Sequence, residues 1–147
     1  MPVKDKMKQA VMAAMKAHDQ QQVDALRFLI SLIDKKELQL PPDGMTEAEE
    51  ISVLRKELKN KEESREMFVK ANRSDLVTQL DYEIELVKQY LPVEMVKEEI
   101  EKIVDEVIAS GASNFGMVMG QVMKKIMGRA GGEIVTRIVK EKLEISN

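Results

Sequence analysis

Lys124, Lys125 and Arg129 crowd the approach to a Gly131-Gly132 pair, and Arg137 follows just beyond it. If the glycines open a helix, its free N-terminal amides and the neighbouring cations form a site for an anion of the phosphate type. Two features compete with that reading. Lysines in the last turn of a helix are ordinary partners of its dipole, and Glu133 stands in the first turn where a phosphate would sit. Other chemistry is sparse. The 147 residues include no Cys, no Trp and one His, which removes thiol nucleophiles, disulfides, Cys-ligated metals and two-His metal motifs. His18 follows a helix end, where an imidazolium complements the dipole. Tyr82 and Tyr90 read as packing residues with a wet hydroxyl. Carboxylates are plentiful but fall on polar helix faces beside Lys or Arg, the pattern of surface ion pairs. No glycine-rich nucleotide loop is present. The expectation is therefore no catalytic set, no metal site and no cofactor.

The composition, 44% hydrophobic and 33% charged, excludes a disordered chain and a membrane-embedded one. The N-terminus alternates Lys with apolar residues and lacks a signal-peptide core, so a soluble, cytoplasmic protein is expected. The net charge of −3 argues against nucleic-acid binding by bulk charge. That charge is unevenly spread. Through Pro92 there are 15 basic and 17 acidic residues, whereas from Ala112 onward six basic residues face three acidic ones.

These residues must be positioned by helices. Val3, Met7, Val11 and Met15 recur at a spacing of four, predicting a first helix with a narrow apolar stripe. Residues 22–38 are apolar nearly all round, predicting a central helix covered on several sides. Leu40-Pro41-Pro42-Asp43-Gly44 is a turn, and Thr46 with Glu49 forms a capping box. The helix that follows should run to about Ala71 on Ile51, Leu54, Leu58 and Phe68. Its wholly polar stretch, 59–66, reads as a solvated projection held by pairs such as Lys59–Glu63 and Glu62–Arg65. Asn72, Arg73, Ser74 and Asp75 offer caps for a helix carrying Leu76, Leu80, Ile84, Val87 and Leu91, which Pro92 ends. Beyond it, Val96 to Ile108 closes at Ser110-Gly111. Ser113 or Asn114 caps a helix ended by Gly128, and Ile134 to Leu143 forms the last. Met117, Met119, Met123 and Met127 read as core filling, although Met117 falls well round the helix from the core face. The class is all-α: N-terminal helical hairpins of about four helices, residues 1–92, and a small C-terminal three-helix domain, residues 93–147.

Arg73-Ser74-Asp75-Leu76, Glu83-Ile84-Glu85-Leu86 and Tyr90-Leu91-Pro92 resemble the central signature of the GatB/YqeY family. Phe115-Gly116-Met117-Val118-Met119-Gly120 and Gly128-Arg129-Ala130-Gly131-Gly132 resemble its paired glycine motifs. The resemblance begins at Leu26-Arg27 and covers almost the whole chain, whose length and start match the stand-alone YqeY type. Asn114, Met117, Met127 and Gly131 stand where Asp, Lys, Lys and Asp are common in the family. The resemblance implies a helical tail like the one closing the B subunit of the glutamine-dependent aspartyl/glutamyl-tRNA amidotransferase, a carbon–nitrogen ligase. There the tail helps hold tRNA while amide transfer occurs elsewhere, so engagement of tRNA or a tRNA-handling enzyme is implied, without catalysis by this chain alone. Lys124, Lys125, Arg129, Gly131, Gly132 and Arg137 would meet the RNA. Gly116 and Gly120, one turn apart, read as close-approach positions, with helix–helix contact preferred over an RNA backbone. The alternative is a helical protein-interaction adaptor with no RNA role.

Overall fold

The computed structural model describes residues 1–146; Asn147, included in the expected C-terminal domain, lies outside the described residues. Seven helices run in chain order: α1 (Val3–Lys16), α2 (Gln20–Gln39), α3 (Glu47–Lys70), α4 (Ser74–Lys88), α5 (Lys97–Ala109), α6 (Phe115–Ile126) and α7 (Gly132–Ser146), with no strand among the described residues. The chain is all-α. Its helices gather into two compact units, one of Met1–Leu91 and one starting at Pro92.

In the first unit α1 packs along α2 and α3 along α4, with α2–α3 and α1–α3 contacts closing the assembly. Met7, Leu26, Leu29, Ile33, Leu54 and Val87 are its most deeply buried side chains. The fourth member of the α1 stripe is Ala14 rather than Met15, which is exposed. A helix turns 100° per residue, so three steps of four overshoot the face, and a step of three restores it. Helix α2 is less enclosed than expected, because Phe28 and Leu38 are exposed. Thr46 caps α3 by accepting from Glu49 N–H at 3.2 Å. In the turn before it Gly44 N–H donates to Pro41 carbonyl oxygen at 2.9 Å, and a Cβ on Gly44 would lie 2.9 Å from that same oxygen. Only glycine closes this turn without a shift.

The polar stretch of α3 is solvated on one side only: Lys59, Asn60, Glu62, Glu63 and Glu66 are exposed, while Lys61 and Arg65 turn toward α4. Lys61 is only 7% exposed and Arg65 reaches Asp81 on α4. Beyond Leu58 the apolar seam between α3 and α4 is continued by ion pairs. The Lys59–Glu63 pair is present at 4.0 Å on the outer side. None of the anticipated side chains caps α4: Arg73 occupies the cap position without a capping bond, and Asn72 takes a left-handed turn that closes α3. His18 does the same after α1, with φ of +57° and its N–H donating to Met15 carbonyl oxygen. Lys4 ties α1 to Asp34 and Glu37 of α2. Its ammonium is held above the ordinary lysine value, chiefly by the hydrogen bond to Asp34. This contribution is complete at neutral pH and is lost as pH rises through the folded-state value.

The second unit buries Ile100, Val104, Val107, Val118, Val122, Ile126, Val135, Ile138 and Val139, a core of β-branched residues without an aromatic ring. Asn114 caps α6, its Oδ1 accepting from Met117 N–H at 2.9 Å. The helix ends one residue earlier than anticipated. Met127 itself takes the left-handed conformation, with φ of +54°, ahead of Gly128 at +78°. A side chain in that conformation clashes with the following carbonyl, and glycine avoids the clash. Met127 is 74% exposed, so little buried area opposes the exchange. Met127→Gly is expected to stabilise the protein by about 0.5–1 kcal/mol, read as a higher urea midpoint at unchanged slope.

Candidate nucleic-acid interface

The cations expected to meet RNA sit on α6, α7 and the turn between them. Lys124 and Lys125 occupy the last turn of α6 and are exposed, as lysines at a helix C-terminus should be. Gly131 precedes α7 and Gly132 opens it, so the turn delivers free amides at a helix start. Neither glycine has a positive φ, and a Cβ on either would meet nothing within 4 Å. Their bareness is an opening at the surface and not a packing need.

Arg129 is differently employed. Its Nε donates to Val93 carbonyl oxygen at 3.0 Å, and Nη2 lies 3.6 Å from Glu99 Oε2. Its own carbonyl oxygen accepts from Met95 N–H at 2.7 Å. With Ala130 buried beside it, Arg129 fastens the segment before α5 to the α6–α7 turn. Its guanidinium keeps 40% side-chain exposure, so it retains an open edge while serving the fold. Arg137 is exposed on the outer side of α7, one turn from Glu133 and one turn from Glu141. Lys140 lies over the Phe115 ring at 5.8 Å, joining α7 to the start of α6. Lys142 reaches Asp105 of α5 at 3.2 Å. The open cations of the α6–α7 region are therefore Lys124, Lys125 and Arg137, with Arg129 shared between fold and surface.

Two further sequence expectations are altered. Met119 packs against the core, but Met117, Met123 and Met127 are exposed. Core filling holds for one of the four methionines, because the buried stripe Val118, Val122, Ile126 leaves only one flank for Met119. Gly116 and Gly120 are exposed as well, and among the described residues a Cβ on Gly120 would meet nothing within 4 Å and one on Gly116 only Asn114 Oδ1 at 3.5 Å.

The Arg73-Ser74-Asp75-Leu76 motif lies at the α3–α4 turn. Arg73 grips Asp75 with two bonds, Nε–Oδ1 at 3.2 Å and Nη2–Oδ2 at 3.0 Å, in full solvent. This guanidinium holds the Asp75 carboxyl below the usual carboxylate range. No helix of the described residues is long and apolar enough to cross a membrane.

An all-helical chain with a cationic, glycine-bearing helical turn has relatives among the amidotransferases. The E subunit of the glutamyl-tRNA(Gln) amidotransferase of Thermococcus gammatolerans is 39% identical over 56 residues, which is 33% of this chain and 9% of that protein. Its counterpart in Aeropyrum pernix is 40% identical over 55 residues, 32% of this chain and 9% of that protein. The likeness thus spans less than a tenth of each relative's length. The family profile of YqeY-like proteins matches residues 4–143, and the chain belongs to that family.

Proposed function

We propose that this protein is a non-catalytic module that serves tRNA or a tRNA-handling enzyme in the cytoplasm, with its C-terminal unit toward the RNA. The kinship with the E subunit of glutamyl-tRNA(Gln) amidotransferase carries this reading. The excess of basic residues from Ala112 onward agrees with it. Phosphate contacts would come from Lys124, Lys125 and Arg137, with the Gly131-Gly132 amides as a neutral supplement. Such contacts position an RNA without reading its sequence.

The test is a gel-shift titration with total tRNA across a salt series. Affinity should fall as salt rises, because each neutralised phosphate releases counterions. Lys124→Ala/Lys125→Ala/Arg137→Ala should flatten the salt slope by about one unit per lost contact. Arg129 is left intact in this variant, since it also holds Val93 and Glu99. No shift at low salt would overturn the proposal.

A further inference from the structure

Helix α6 is apolar on two sides, and only one of them is used by the fold. Val118, Val122 and Ile126 are buried. Opposite them Gly116, Gly120 and Lys124 follow one another at intervals of four and form a single line along the helix. Met117 flanks this line on one side and Met123 on the other, 49% and 36% exposed, and Met127 stands at its end. The result is a shallow trough with a backbone floor and methionine walls.

Among the described residues nothing in the unit requires these positions to be glycine. Neither has a positive φ, and Gly120 has no neighbour that a side chain would strike. Each nevertheless weakens the helix relative to alanine. A cost without an internal return points outward, to something whose backbone comes close to α6.

Charge and polarity narrow the choice. Helix α6 contains no acidic residue, and Lys124, which ends the glycine line, has no acidic partner among the described residues. The occupant therefore brings negative charge. Methionine walls match apolar side chains of varied shape. They offer no stacking platform for bases, and the one aromatic ring at the helix start lies under Lys140. A second copy of α6 would set lysines against a helix without acids. We propose that this face of α6 docks an acidic amphipathic helix of a partner protein. The partner helix would lay small or apolar residues along Gly116 and Gly120 and carry Asp or Glu opposite Lys124. The glycine line and its methionine walls are not among the RNA contacts proposed above, and Lys124 is shared between the two readings.

Two measurements on the full chain test it. Gly120→Ala should raise Tm by about 2–4 °C. A lower Tm would mean that the glycine serves the fold and would overturn the proposal. For the partner, Met117→p-benzoylphenylalanine is irradiated in source cells and the crosslinked peptide is sequenced, with Lys102→p-benzoylphenylalanine on α5 as the control. The expected product is a protein segment of helical periodicity with acidic residues beside an apolar face. Its yield should drop at least tenfold when Gly120→Leu is added. Crosslinks to nucleic acid, to a second copy of this chain or to a segment lacking that pattern would overturn the proposal. So would equal crosslinking from the control position, or no crosslink at all.

Discussion

Lys61→Ala is expected to lower the unfolding free energy by about 3 kcal/mol, the larger share of which is electrostatic. Lys61 lies in the middle of α3 with its ammonium 3.4 Å from Glu57 Oε1 and 3.4 Å from Glu83 Oε1. The same ammonium stands 5.0 Å over the ring of Phe28 on α2. One side chain thus joins three helices at a level where α3 has no apolar residue to offer. Its removal leaves two carboxylates facing each other, takes away a cation–ring contact worth about 1 kcal/mol, and empties the space of the aliphatic stem. Glu57 and Glu83 are more exposed than Lys61, so water relieves part of the repulsion and the cost stays near the lower end for a broken buried pair. Lys61→Met keeps the stem and should cost about half as much. Adding Glu83→Gln to Lys61→Met removes the remaining repulsion and should recover most of the loss. Urea unfolding at constant slope measures all three variants. If Lys61→Ala matched the wild type, the ammonium would be a passenger and not the joint between the helices.

Lys61 also marks the limit of what apolar periodicity can reveal. The stripes of α5, α6 and α7 were legible because each buries valines and isoleucines at helical spacing, and those positions are the core of the C-terminal unit. Thr46 and Asn114 were legible as caps because the bond each makes is local, three residues away. A polar residue that is buried by a distant partner leaves no such mark. Reading 59–66 as solvated followed from its composition; it holds for Lys59, Asn60, Glu62, Glu63 and Glu66 and fails at Lys61 and Arg65, which Glu83 and Asp81 meet from another helix. The same holds at the candidate interface. The cations could be counted from the sequence, but the engagement of Arg129 by Val93, 36 residues away, could not. Nor could the exposure of Met123, since an apolar residue beside a buried stripe reads as core until the neighbouring helices are placed, whereas Met117 already stood well round the helix from that stripe.

Glu50→Ala should produce the second large loss, again about 3 kcal/mol, and should express it at the far end of the chain. Glu50 is 3% exposed, and its carboxylate accepts from Val3 N–H at 3.2 Å and from Lys4 N–H at 2.8 Å. These amides belong to the first turn of α1, where a helix has no carbonyl of its own to offer. Pro2 precedes them and supplies no side-chain cap. A carboxylate borrowed from α3 therefore caps α1, satisfying two donors and facing the positive end of the helix dipole. Hydrogen bonds to a charged acceptor contribute about 1.5–3 kcal/mol each, and truncation leaves the amides buried without a partner. Glu50→Gln keeps one acceptor and loses the charge, so about half the effect should remain. Amide hydrogen exchange gives the residue-level check. Val3 and Lys4 should be protected in the wild type, unusually for a first turn, and should exchange at least tenfold faster in Glu50→Ala while the amides around Leu54 stay protected. Equal exchange in the two proteins would show that α1 does not need Glu50 to hold its start against α3.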